Sequence, residues 1–495
     1  MQRRENLNRR DFVQTAAAGV AAASAITAIT APATIRADDG ANRLRIGFIG
    51  PGRRGFGAHV RSLVTLHGEG APIDLVAVND VYTVHRDRAV NFIEEKTGLR
   101  PDTYDDYRDM LQKADLDVVC IATPDHWHAK QTIDSLRAGK HVYCEKPMTH
   151  TIDEAFAVID AWRSSGRVMQ VGVQSTSMPI WDQMRAMVNA GQLGKIVQFQ
   201  TESARNSLAG MSRHNIITKE MTPRTIDWKQ WLGLEHGLAP DLPFDRATYG
   251  QWRCYWPFGY GMYTDLFVHR ITTMLKATGL SYPGRVTGGG GIFLEYDDRD
   301  VADMATIVAD FPEGAQGLIS SSMVSEAVPL QHVIRGHHGS ILFDRALFGQ
   351  KQTFEFIPER PQVTLDSSLK RETFNPPHTK NQDLAHFSNF LAAIRTDDPA
   401  LVNNSPDLGA AALVIANLAT RSYREGRVFH FDATTRKVSD GDSSWADRWE
   451  QMSKARSKPN HVPGWQAGDR GSLLVPHEYQ KLAGPWIDGR PPEAG

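Results

Sequence analysis

Apolar residues fall into short, β-prone runs along the first third of the chain, and helix-length stretches separate one run from the next. Leu44-Arg45-Ile46-Gly47-Phe48-Ile49 reads as a buried strand, Leu75-Val76-Ala77-Val78 as a second, and Val118-Val119-Cys120-Ile121-Ala122 as another. His141-Val142-Tyr143-Cys144 and Val171-Gly172-Val173-Gln174 continue the series. Helical segments pass through His59, Val60 and Leu63, run from His85 to Thr97 and from Tyr107 to Lys113, and stop once more at Gly139. Strands alternating with helices predict a doubly wound parallel α/β sheet over residues 38–175.

Beyond residue 176 the period changes. A helix from Ile180 to Ala190 leads through Gly194-Lys195 into a strand from Ile196 to Thr201, and a long irregular stretch follows. Arg285 to Tyr296, Ala302 to Phe311, Gly317 to Val324, Gln331 to Arg335 and Ser340 to Phe343 then read as successive strands, with a hairpin turn at Asp310-Phe311-Pro312-Glu313-Gly314. Helices are expected from Leu384 to Ile394 and from Gly409 to Tyr423. The pattern predicts an α+β domain over 176–435 with an open, mostly antiparallel sheet. Residues 436–495, with Pro459, Pro463, Pro485 and Pro491-Pro492, read as an irregular extension. Gly288 to Gly291 are not a phosphate loop, because no lysine follows in the required place; they relieve crowding or twist an edge.

The N-terminus carries a different message. Asn8-Arg9-Arg10-Asp11-Phe12-Val13 precedes an Ala-rich run from Thr15 to Ile35, the pattern of a twin-arginine export signal over residues 1–37. Small residues at Ala31, Ala33 and Ala37 suit cleavage. The alternative is an uncleaved membrane anchor, but the run is weakly apolar for a membrane span. A periplasmic or extracytoplasmic location follows, with no membrane attachment once the signal is removed. The formal net charge of −2 over 495 residues argues against nucleic-acid binding, which needs a basic excess. Three cysteines, Cys120, Cys144 and Cys254, cannot build a disulfide framework.

The chemistry gathers where strands end. The first strand runs straight into Gly50-Pro51-Gly52-Arg53-Arg54-Gly55 and then a helix, the context in which a G-x-G-x-x-G is informative. Its glycines let a pyrophosphate approach the helix N-terminus, where free N–H groups and the helix dipole favour anions. Arg53 and Arg54 either add charge there or are solvated. Asp80, after the second strand, is placed to accept ribose hydroxyls and to repel a 2′-phosphate, which favours NAD over NADP. His126 and His128 could share a face as metal ligands, but the neighbouring residues complete no ligand set. Capping a helix or lining a cofactor pocket suits them better, and no metal site is expected. Pro147 disfavours the helical region for Lys146, so this lysine is held extended at a strand end, where open parallel sheets bind ligands. Trp228, Trp231 and Trp252-Arg253 serve domain packing or present aromatic faces to a sugar ring. Asp265 and His269 are four apart, so on a helix they share a face and can touch.

Taken together, Gly50-x-Gly52-x-x-Gly55, the Ala122-Thr123-Pro124…His128 loop and Glu145-Lys146-Pro147 resemble the Gfo/Idh/MocA oxidoreductases, the family of glucose–fructose oxidoreductase and inositol dehydrogenase. The resemblance covers most of the chain after the signal. It implies that Thr123, Pro124, His128, Glu145 and Lys146 join Gly50, Gly52, Arg53, Arg54, Gly55 and Asp80 around the cofactor. It also implies that an Asp-x-x-x-His of the second domain, here Asp265 and His269, works with the lysine of the Glu-Lys-Pro element. Catalysis is then expected from Lys146, Asp265 and His269, with Asp265 orienting His269 as general base and Lys146 stabilising charge on the substrate oxygen, or with Lys146 and His269 sharing the proton and their roles exchanged. These three and Arg253 would contact a carbohydrate substrate. The expected activity is hydride transfer between nicotinamide and a secondary hydroxyl of a sugar, polyol or sugar derivative. An NAD-dependent glycosidase working by transient oxidation and elimination is one alternative, and a non-catalytic sugar-binding protein with structural NAD is another. Family resemblance further implies a homo-oligomer, a dimer or tetramer.

Overall fold

The computed structural model describes residues 43–441, apart from 209, 214, 216 and 345–351. The export signal and most of the C-terminal extension lie outside the described residues.

Six parallel strands, β1 (Leu44–Ile49), β2 (Ile73–Asn79), β3 (Asp102–Tyr104), β4 (Val118–Ile121), β5 (His141–Glu145) and β6 (Met169–Gly172), form the first sheet in the order β3-β2-β1-β4-β5-β6. This is the doubly wound dinucleotide-binding order, and its connections reverse direction between β1 and β4. Apart from the short edge strand β3, both faces of the strands are buried, which is why they read as continuous apolar runs rather than alternating ones. Ile46, Phe48, Val78, Val118 and Cys120 fall in one apolar cluster, whereas Ile49, Ala77, Val119, Ile121, Val142 and Cys144 fall in another that continues into the second domain. The crossover helices are delimited by local chemistry. Thr151 and Glu154 cap each other's backbone at the start of Ile152–Ser165, and Gly166 ends that helix with φ 63°.

The second sheet has ten strands: β7 (Ile196–Ala204), β8 (Arg285–Gly291), β9 (Met304–Phe311), β10 (Ala315–Ser322), β11 (His332–Gly336), β12 (Gly339–Phe343), β13 (Phe354–Pro358), β14 (Glu372–Phe374), β15 (Phe429–Asp432) and β16 (Lys437–Asp440). The order is β14-β13-β12-β11-β7-β10-β9-β8-β15-β16, antiparallel throughout except for the β10–β7 pair. The long helix Pro406–Glu425 packs on β8 so closely that a Cβ on Gly288 would lie 2.0 Å from the Ala419 carbonyl oxygen. Relief of crowding is therefore the reason for a glycine there.

Three sequence expectations change. The strand expected to run from Arg285 to Tyr296 stops at Gly291, because the buried Asp303 carboxylate accepts the backbone N–H groups of Phe293, Leu294 and Glu295 at 2.8–3.1 Å and curls the chain. The stretch from Arg436 is not irregular at its start: Lys437–Asp440 pairs with β15 as the edge strand β16. Finally, the helix Gln382–Arg395, expected within the second domain, docks on the first. Its Phe387, Phe390 and Leu391 complete the cluster formed by Ile46, Phe48 and Tyr143. The Phe387 ring stacks on Tyr143 at 4.2 Å.

Candidate active site

A cleft of about 930 Å³ opens between the two domains, at the carboxyl ends of β1, β2, β4 and β5. Its volume lies in the range of small-molecule sites. The glycine loop leaves β1 with Gly50 at φ 73°, a conformation that favours glycine. A Cβ on Gly50 would lie 2.6 Å from Thr123 Cγ2, and one on Gly55 would lie 2.7 Å from the Gly50 carbonyl oxygen. Only glycine lets the turn close against the β4 exit. The helix that follows begins at Arg53, passes through the π-helical turn Gly55–Val60 and continues as Arg61–Gly68. The Asp80 carboxylate, buried at the end of β2, accepts from the Tyr82 N–H at 2.9 Å and stands 3.7 Å from His85 Nδ1. A tight glycine turn, the helix that starts directly after it and a carboxylate at the end of the second strand together fit a bound dinucleotide.

The two arginines of the loop are engaged with protein. Arg54 donates to Glu145 Oε1 at 2.6 Å and to Asp383 Oδ1 at 2.7 Å, whereas Arg53 bonds Asn215. Glu145 is buried and also lies 3.0 Å from His59 Nε2. Burial alone would raise its carboxyl, but Arg54, then His59 and Lys146, hold it well below the usual carboxylate range. Glu145 is thus an ion-pair anchor behind the cofactor loop.

Thr123 and Pro124 line the cleft, and Thr123 Oγ1 donates to Gln131 at 2.7 Å. His126 and His128 lie not in a loop but in the helix Asp125–Arg137, both buried. His128 places its ring nitrogens 2.6 Å from the Pro147 carbonyl and 2.9 Å from that of Thr123, and so ties the β4 and β5 exits together from behind. It is not among the residues lining the cleft.

Lys146 follows β5, and the Lys146–Pro147 bond is cis. Its Nζ crosses the domain boundary to donate to the backbone oxygen of Asp265 at 2.7 Å and to its Oδ1 at 2.6 Å. The same Oδ1 accepts from Arg253 Nε at 3.0 Å, and the Arg253 guanidinium lies over the Trp252 ring at 4.2 Å. Burial pushes the Asp265 carboxyl upward, but Lys146 and Arg253 outweigh it and hold the group far below the usual range. Asp265 is therefore a permanent carboxylate clamped between two cations.

One expected contact is corrected. Among the described residues no hydrogen bond joins Asp265 to His269. The segment Tyr263–Phe267 is π-helical, which shifts the register of a four-residue spacing, and the Asp265 carboxylate turns to Lys146 and Arg253 instead. His269 still lines the cleft. Burial, then the Lys146 charge, push its imidazole well below the ordinary value, so at neutral pH it is uncharged.

Asp125 was not singled out from the sequence. It is the first residue of the helix after Thr123-Pro124, is buried and lines the cleft, and its Oδ2 accepts from Thr264 Oγ1 at 3.2 Å. Burial lifts its carboxyl to about 7, against the pull of Arg253 and Lys146. A carboxylate directly after the Thr-Pro of a strand exit was a legible signal. Its burial depends on Thr264 and on Gly259, where a Cβ would lie 3.0 Å from Asp125 Oδ2, and both come from the other domain.

A doubly wound nucleotide domain, a second open-sheet domain and a lysine reaching across the cleft between them define a two-domain nicotinamide-dependent oxidoreductase architecture. Residues 44–173 match the oxidoreductase-family NAD-binding Rossmann fold of Gfo/Idh/MocA proteins, and residues 238–342 match the GFO/IDH/MocA C-terminal domain. Both matched segments are domains of the Gfo/Idh/MocA oxidoreductase family, and the first is its NAD-binding domain. A glycosyl hydrolase family 109 protein of Shewanella baltica is 34% identical over 175 residues, 31% of this chain and 37% of that protein. The alpha-N-acetylgalactosaminidase of Shewanella oneidensis is 38% identical over 121 residues, 24% of this chain and 25% of that protein. The matched segment thus spans little more than a third of the curated relatives' length. Among solved structures, aldose-aldose oxidoreductase from Caulobacter crescentus aligns with TM-score 0.57 at 21% identity, covering 79% of this chain and all (100%) of that one. Levoglucosan dehydrogenase in complex with NADH and levoglucosan aligns with TM-score 0.57 at 19% identity, covering 81% and 99%. At these identities the structural likeness speaks for the fold.

Proposed function

We propose that the protein oxidises a secondary hydroxyl of a sugar, polyol or sugar derivative. The observation that carries this reading is the Lys146 ammonium, fixed by Asp265 across the domain boundary in the same cleft as the glycine loop and Asp80. The glycine loop and Asp80 would hold NAD, which when bound supplies the hydride acceptor. Two of the three Lys146 N–H groups are taken by Asp265, so one is left to donate to a substrate oxygen and stabilise negative charge developing there. Because Asp265 is already clamped, that donor is oriented before substrate arrives. Neutral His269 can accept a hydrogen bond from the same hydroxyl. Trp252, with Arg253 against its face, offers an apolar surface of the kind sugar rings stack on.

The test is to load the full chain with NAD, screen sugars and polyols for absorbance at the reduced-nicotinamide band, and repeat the screen with Lys146→Ala. Turnover that survives in the variant overturns the reading. A second reading, glycoside cleavage by transient oxidation and elimination, is favoured by the relatives named glycosyl hydrolase family 109 and alpha-N-acetylgalactosaminidase. Release of aglycone without net cofactor reduction distinguishes it. Export by the twin-arginine route completes the proposal. Replacing Arg9 and Arg10 with lysine should leave folded protein in the cytoplasm, and normal export of that variant would refute it.

A further inference from the structure

Where β2 ends, the facing wall of the cleft comes from the other domain. Tyr249, in the short helix Arg246–Gly250 that Asp245 caps, lines the cleft with Asp80, Tyr82, His85 and Arg88. Its ring centre lies 5.7 Å from that of Tyr82, 6.5 Å from that of His85 and 5.6 Å from that of Trp231. Tyr82, Trp231 and Tyr249 belong to a separate apolar cluster with Ile226 and Phe258. Backbone bonds join the same region to the β2 exit: the Asp227 N–H donates to the Val81 carbonyl at 2.9 Å, and the Thr83 N–H to the Thr225 carbonyl at 3.0 Å.

Tyr249 is only 7% exposed, yet among the described residues its hydroxyl has no hydrogen-bond partner. A phenol buried to this degree usually finds one. The groups around it are those of the nucleotide site. Asp80 Oδ1 accepts from the Tyr82 N–H at 2.9 Å, and Asp80 Oδ2 lies 3.7 Å from His85 Nδ1. His85 borders the glycine loop, since a Cβ on Gly52 would lie 3.4 Å from its Nδ1. Arg88 donates to the Pro51 and Gly52 carbonyls of that loop at 3.1 and 3.0 Å. Asp80 and Arg88 are both within electrostatic reach of the Tyr249 phenol.

We infer that Tyr249 is a nucleotide-binding residue supplied by the second domain, its hydroxyl bonding the adenosine ribose whose own hydroxyls Asp80 accepts. This rests on the placing of NAD at the glycine loop and Asp80, and is independent of which sugar is oxidised. A carboxylate only accepts, so ribose oxygens held by Asp80 still lack a donor, and a phenol supplies one. The packing of Tyr249 on Tyr82 and His85 fixes that donor before the nucleotide arrives. At the other end of the cleft the second domain already meets the first through Asp265 and Lys146. Tyr249 gives it a hold on the adenosine end as well, so nucleotide affinity depends on both domains.

The test is calorimetric titration of the nucleotide-free full chain with ADP and with 2′,3′-dideoxy-ADP, which lacks both ribose hydroxyls. Tyr249→Phe keeps the ring and removes only the hydroxyl. It should weaken ADP binding about three- to tenfold, the scale of one hydrogen bond, and leave dideoxy-ADP binding unchanged. Asp80→Ala should likewise penalise ADP more than the dideoxy nucleotide. Without nucleotide, Tyr249→Phe should unfold at the wild-type temperature or slightly above, because the hydroxyl it loses bonds nothing in the protein. A lower unfolding temperature would assign that hydroxyl to the fold and overturn the inference. So would unchanged ADP affinity in Tyr249→Phe, or equal weakening of the two nucleotides, when Asp80→Ala still tells them apart; the placing of NAD then stands. If Asp80→Ala treats the two nucleotides as wild type does, the placing of NAD on Asp80 fails and the role of Tyr249 falls with it.

Discussion

Replacing Lys146 by methionine removes one charge and keeps a stem of similar length, so it isolates what the ammonium does. Its Nζ makes two hydrogen bonds to Asp265, and both groups are largely buried, with side-chain exposures of 9% and 16%. Removing one partner of a buried ion pair costs about 3–5 kcal/mol when the other charge is left alone. Asp265 is not left alone, because Arg253 Nε remains 3.0 Å away. The loss should therefore lie at the low end, about 3 kcal/mol. Adding Asp265→Asn removes the charge that Lys146→Met leaves under-neutralised, so the double variant should be no less stable than the lysine variant alone. Activity should behave differently. Either variant should lose about 10²-fold or more in kcat, because the donor aimed at the substrate oxygen is gone or unoriented. Urea unfolding read alongside NAD binding and turnover separates the two effects. Near-normal turnover in Lys146→Met, or a double variant whose destabilisation is the sum of the single ones, would refute the reasoning.

Asp125→Asn should also change the pH dependence of stability. The folded-state carboxyl is raised from 3.8 to about 7, so the stability it contributes is fully present below about 4 and is lost as the pH rises through about 7. The variant should match wild type near pH 4 and exceed it at pH 8, by at most about 4 kcal/mol, read from unfolding curves at the two pH values. Asp80→Ala should weaken NAD binding about tenfold or more and narrow the preference over NADP, measured by titrating both nucleotides. Gly50→Ala should abolish NAD binding or soluble folding, since the new methyl meets Thr123 at 2.6 Å in a conformation that disfavours alanine; unchanged NAD affinity would contradict this. Phe387→Ala should destabilise the nucleotide domain by about 3–5 kcal/mol, with protection of amides in β1 and β5 lost together in hydrogen exchange.

The nucleotide-binding sheet was legible because its strands are buried on both faces and their apolar runs are bounded by glycine, proline and acidic residues. The glycine loop and the exit of β5 could be read for the same reason. β3, three residues long, gives no hydrophobic period to read, and its first two are exposed. The edge strand β16 is mostly exposed and polar, so composition alone made it look irregular. At the site, local sequence named Lys146, Asp265, His269 and Arg253 but misjudged their pairing. A four-residue spacing presumes an ideal α-helix, and the π-helical turn at Tyr263–Phe267 breaks that presumption. Asp125 was passed over because its chemistry is created by residues more than a hundred positions away, which strip it of water.

The docking of Gln382–Arg395 on the first sheet means that the nucleotide domain is not a contiguous stretch of chain. A fragment ending near residue 175 would uncover Tyr143, which packs against Phe387 and Phe390 of this helix, and would strip Arg54 of its Asp383 partner. Grafting another cofactor domain onto this protein, or this one elsewhere, requires the helix to travel with it, so the exchangeable module is split in two. Fragments 43–175 and 176–441 expressed together should therefore recombine where neither alone is soluble. The same geometry makes the order of assembly a matter of synthesis: the cofactor loop can be completed only after most of the chain has left the ribosome.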